Sequence, residues 1–88
     1  MIEHFQSLRQ YIVSIYSVHV EIEELPSGII YLNVFANDKG VELVYDPKHG
    51  FGLDIIDEDT IPFTGYTHTY RLFEEARTCA VRLIEEIL

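Results

Sequence analysis

The sequence predicts an α+β fold: a two-layer sandwich in which a four-stranded antiparallel meander carries an N-terminal and a C-terminal helix on one face. Three observations predict it. Apolar residues recur at helical spacing at both ends of the chain, they alternate with polar residues through the middle, and turn-forming residues punctuate that middle region.

Ile2, Phe5, Leu8, Ile12 and Ile15 place one apolar stripe on a helix over about residues 2–14. From Ser17 the period switches to two, with Val18, Val20 and Ile22 alternating with His19, Glu21 and Glu23, as in a strand buried on one side. Leu25-Pro26-Ser27-Gly28 makes a turn, and a second strand runs from Ile29 to about Asn37. For the next hairpin, a two-residue loop at Lys39-Gly40 pairs Ala36 with Leu43 and Val34 with Tyr45, with Gly40 supplying the positive φ. Ile30, Leu32, Val34, Ala36, Val41, Leu43 and Tyr45 then share one apolar face, whereas a three-residue loop mixes the faces. Asp46 to Gly50 forms another turn, and a fourth strand directs Phe51, Leu53 and Ile55 inward. Asp57 to Thr67 is the longest irregular stretch. Leu72, Ala76, Cys79, Ala80, Leu83 and Ile87 mark the last helix, with Thr69 as its cap and Arg71 with Glu75, and Glu74 with Arg77 or Thr78, at supporting spacings outside. The order is α-β-β-β-β-α in a single domain spanning 1–88.

Composition excludes several functions. Fifteen acids against 6 Lys and Arg give a net charge of -9, and the cations are scattered, so neither nucleic acid nor an anionic membrane is an expected partner. One cysteine, Cys79, precludes an intrachain disulfide and falls within a helical apolar stripe. No basic flank with an apolar run opens the chain and no stretch has spanning length, so a cytoplasmic location is expected. The histidines lack metal-face spacing, and the acidic run Asp54, Asp57, Glu58 and Asp59 lacks the glycine of a calcium loop. Thr67-His68-Thr69 sets hydroxyls beside an imidazole without a nucleophile elbow, and Gly50-Phe51-Gly52 is no phosphate loop. No catalytic residue, cofactor or metal site is expected, and the chain is read as a non-enzyme.

The informative surface is the sheet face turned away from the helices. Ile29, Tyr31, Asn33, Phe35, Val44 and Ile56 point there, with His19, Glu21, Glu23, Glu42 and Asp54 around them. An apolar centre with a charged rim is the anatomy of a protein interface. Tyr31, Asn33, Phe35, Glu42, Val44 and Ile56 are therefore the candidate partner-binding residues, and a second copy of the chain, forming a homodimer, is the expected partner. The 57–69 loop with Phe63, Tyr66 and His68 is a second candidate surface, for a small-molecule binder or enzyme or for closing the core edge. An acidic decoy or inhibitor that occupies a basic site on another protein is the alternative reading of the charge.

The element order is similar to that of double-stranded-RNA-binding domains and of frataxins, in topology alone. The first family uses a basic helix and loop, which this sequence lacks. The second has an acidic first helix, where this one has only Glu3. Neither family is assigned.

Overall fold

The computed structural model describes residues 1–57 and 66–88. Helix α1 (Ile2–Ile15) leads into strands β1 (His19–Glu24), β2 (Ile30–Ala36), β3 (Lys39–Asp46) and β4 (Gly50–Ile56). A short strand β5 (His68–Tyr70) and helix α2 (Phe73–Ile87) complete the chain. The strands form one antiparallel sheet in the order β1-β2-β3-β4-β5. Both helices lie on the same face, α1 over β1 and β2, and α2 over β3, β4 and β5. The α+β two-layer layout thus matches the sequence reading, with five strands in place of four.

The extra strand pairs Phe51 with Tyr70, Gly52 with Thr69 and Leu53 with His68. Three residues are too few to establish an alternating pattern, so β5 exists through its partner rather than through its own periodicity. It also displaces the expected helix cap. Thr69 belongs to β5, Leu72 occupies the position before α2 without a side-chain cap, and Leu72 is 63% exposed rather than buried. Phe73 takes the inward place, its ring 6.0 Å from Phe5 and 5.9 Å from Phe51.

The hairpin between β2 and β3 corrects the predicted register. It does have a two-residue loop, but the loop is Asn37-Asp38, and Ala36 pairs with Lys39, Val34 with Val41 and Leu32 with Leu43. Asn37 (φ 53) and Asp38 (φ 64) supply the left-handed pair that such a turn needs. Short polar side chains tolerate that region, so glycine is not required. Asn37 also donates from Nδ2 to the carbonyl oxygen of Ile87 at 3.1 Å, closing an orphan carbonyl at the end of α2. The true register differs from the predicted one by four residues. Because four is even, each side chain stays on its predicted face while its cross-strand neighbour changes.

The core lies between the sheet and the helices. Phe5 and Ile12 of α1, Leu32 and Val34 of β2, Leu43 of β3, Leu53 of β4 and Ile84 of α2 all have 0% exposure. Cys79 is buried among them. On α2, Thr78 Oγ1 donates to the Glu74 carbonyl oxygen at 3.0 Å. The Arg77 guanidinium lies 4.5 Å above the Tyr11 ring, so it braces α2 against α1 rather than pairing with Glu74.

Candidate functional site: the outer sheet face

Side chains on the face away from the helices fall into three rows across the strands. The first is His19, Phe35, Gly40 and Ile56. The second is Glu21, Asn33, Glu42 and Asp54. The third is Glu23, Tyr31, Val44, Gly52 and Thr69. Of the acids expected at the rim, Glu21 and Glu23 lie on the edge strand β1, whereas Glu42 and Asp54 stand on inner strands. Glu21, Glu42 and Asp54 run across the middle as a rung, with apolar and aromatic residues on either side.

Glu42 and Asp54 are direct cross-strand partners, an arrangement that repels. Donors from the segment before β5 offset it. The Tyr66 hydroxyl donates to Glu42 Oε2 at 3.0 Å, and Thr67 donates to Asp54 Oδ2 from its main-chain nitrogen at 3.2 Å and from Oγ1 at 3.0 Å. Room for Tyr66 comes from Gly52, since a Cβ there would stand 2.7 Å from the ring. Phe35 covers Gly40 in the same way, its ring 3.6 Å from where a Cβ would be. Gly40 and Gly52 are thus each overlaid by an aromatic ring that supplies the packing the glycine lacks.

Two hollows flank the acidic rung. One, of about 590 Å³, is lined by Phe35, Gly40, Ile56 and the β2–β3 hairpin. The other, of about 300 Å³, is lined by Tyr31, Val44, Gly52, Tyr66 and His49. Of the six candidate residues, Phe35 is the most open, at 46% exposure, with the His19 ring stacked beside it at 6.0 Å. Tyr31, Asn33, Glu42 and Ile56 are half-buried. Val44, at 9%, is floor rather than contact surface.

Of the second candidate surface, the structure sets Tyr66 and His68 on opposite sides of the sheet. Tyr66 folds over the outer face, not against the core edge. His68 pairs with Leu53 and so lies on the helix side, and Phe63 falls outside the described residues. In the β3–β4 turn, Asp46 Oδ2 meets His49 Nδ1 at 2.9 Å and Asp46 Oδ1 accepts from the Lys48 main-chain nitrogen at 2.9 Å. These contacts, the His49 one first, hold the Asp46 carboxyl below its usual range. The aspartate is thereby committed to its turn. Among the described residues no three His, Cys, Asp or Glu side chains gather as a metal site, and no helix is long and apolar enough to cross a membrane.

Burial first, and then the Glu42 charge, hold the Tyr66 phenol well above its ordinary pKa. The raised value means that the folded form favours the neutral phenol. That contribution is complete below the unfolded pKa of 10.0 and is lost at higher pH, as Tyr66 ionises. Gly52→Ala is expected to evict the ring and return Tyr66 to ordinary titration. Alkaline difference spectroscopy would read this as one more tyrosine ionising near pH 10 in the variant than in the parent. Tyr16, also raised, follows α1 away from Gly52 and serves as an internal reference. Identical titration curves would place Tyr66 elsewhere.

Comparison with protein families, with curated proteins and with solved structures returns no match to the chain.

Proposed function

We propose that the chain is a non-enzymatic protein-binding module of the cytoplasm, and that its outer sheet face docks onto a basic, partly apolar surface of another protein. The observation carrying this reading is the acidic rung Glu21, Glu42 and Asp54 between two apolar hollows. A partner presenting Arg or Lys between apolar side chains would satisfy both features. Such a surface fits an adaptor, and equally an acidic inhibitor that occupies a basic site. The net charge of -9 would speed encounter with a basic partner and repel nucleic acid. Pairing of two copies through this face is the second reading. The exposed Phe35 favours it, and it sets one acidic rung over another.

A photo-crosslinking amino acid at position 35, and separately at 82 on the exposed side of α2, tests the proposal in cells that naturally make the chain. Position 35 is expected to capture a protein, and the adduct is expected to fall when Glu42→Gln and Asp54→Asn remove the carboxylates. Equal capture from both positions, or none from 35, would overturn it. An adduct of twice the chain mass would install the second reading in its place.

A further inference from the structure

The sheet has two edges, and they differ. β5 has three residues, whereas β1 has six and pairs with β2 alone. The Leu25 main-chain nitrogen donates to the Ile29 carbonyl oxygen at 2.8 Å, which fixes the alternation of the β1–β2 ladder. His19, Glu21 and Glu23 direct their main-chain groups to β2, so those of Val20, Ile22 and Glu24 point off the sheet. Along this edge runs a hollow of about 590 Å³ lined by Arg9 of α1 and by His19 to Glu23. Val13, one helical turn beyond Arg9, is 44% exposed.

We infer that a second copy of this chain pairs antiparallel along β1, about a two-fold axis at Val20. Two conditions favour that register over axes at Glu21 and Ile22. Keeping both apolar faces on the same side sets even-numbered residues opposite even-numbered ones. An axis at Glu21 then opposes the two Glu21 side chains, and an axis at Ile22 opposes Glu21 to Glu23. An axis at Val20 opposes His19 to Glu21 twice, Val20 to Val20, and Val18 to Ile22, with no carboxylate facing another. The His19 and Glu21 side chains already approach to 3.0 Å within one chain, so both lie on the outer face where the crossed pairs would form. Val18 and Ile22, which pack on the core while keeping part of their surface open, gain cover on the other face. The result is one continuous sheet of two copies, joined through an edge of the kind that β-augmentation uses. This leaves the outer faces of both copies side by side and free, so it stands apart from the function proposed above.

Sedimentation equilibrium of the full chain in about 0.15 M salt, where repulsion between the acidic copies is screened, reads the association. Wild type is expected to dimerise at concentrations below about 1 mM. Ile22→Pro removes an outward N–H that the fold itself does not use, and it is expected to leave a folded monomer. His19→Glu places carboxylates opposite Glu21 and is expected to weaken the dimer about tenfold, whereas His19→Lys preserves it. Should Ile22→Pro not fold, the two His19 variants decide alone. Ile56→Asp, on the outer face far from β1, is expected to leave the dimer unchanged. A wild type monomeric throughout, indifference to His19→Glu, or loss of the dimer in Ile56→Asp would each overturn the inference. The last of these outcomes would move self-association to the sheet face.

Discussion

Val34→Asp is expected to abolish folding, while Phe35→Asp, one residue further along β2, leaves the fold intact. Val34 has 0% exposure and Phe35 has 46%. A carboxyl group forced into the position of Val34 has no described polar partner there. It would stay neutral at a displacement of roughly 3–5 pK units, on the order of 4–7 kcal/mol. Loss of the valine packing adds roughly 1.5 kcal/mol. The total stability of a chain this size is roughly 5–10 kcal/mol, so little of it would remain. At position 35 the new carboxylate is hydrated, and the cost is about 1 kcal/mol of strand preference and ring packing. Far-UV circular dichroism with denaturant titration reads both. An unfolded Phe35→Asp beside a folded Val34→Asp would reverse the two faces of the sheet.

Gly50→Ala is the second large effect, and Gly28→Ala calibrates it. The two glycines have φ of 89 and 93, so the backbone strain of an alanine is the same at both, about 1–2 kcal/mol. They differ in room. A Cβ at Gly28 meets the Pro47 ring at 3.1 Å, whereas at Gly50 it meets the carbonyl oxygen of Tyr70 at 2.7 Å. A proline ring at a turn can give way. The Tyr70 carbonyl is backbone at the end of β5, and moving it strips β5 from β4. Gly50→Ala is therefore expected to cost about 3 kcal/mol or more, and Gly28→Ala closer to 1–2 kcal/mol. The midpoints of denaturant unfolding compare them. Equal losses would show that β5 adds nothing to the penalty. The proposed docking face is tied to the same strand, because β5 follows directly on Tyr66 and Thr67, whose donors hold Glu42 and Asp54. A loosened β5 is expected to release those carboxylates.

The candidate site was half legible before the fold was known. Parity alone places Tyr31, Asn33, Phe35, Glu42 and Ile56 on the outer face, where the structure has them. Which of them adjoin is not legible from parity, and the sequence pattern centres the hairpin on Lys39-Gly40. That register sets Glu42 opposite Asn37 and hides the rung. Centring it on Asn37-Asp38 sets Glu42 opposite Asn33, and Asp54 follows on the next strand. The signal for the true turn is the capacity of Asn and Asp to take the left-handed region without glycine.

The sequence by itself determined the two periods, hence the helices, the four longer strands and the face of the sheet on which each side chain of those strands stands. These are local properties, carried by spacing along one segment and unchanged by an even shift between strands. Only the tertiary structure decided the register, the fifth strand and the crossing of the acids between two apolar hollows. Each of these depends on how separate segments align, and the energies that align them arise between strands: a left-handed Asn-Asp turn, two glycines each covered by an aromatic ring, and a tyrosine hydroxyl reaching from beyond β4 to a glutamate on β3.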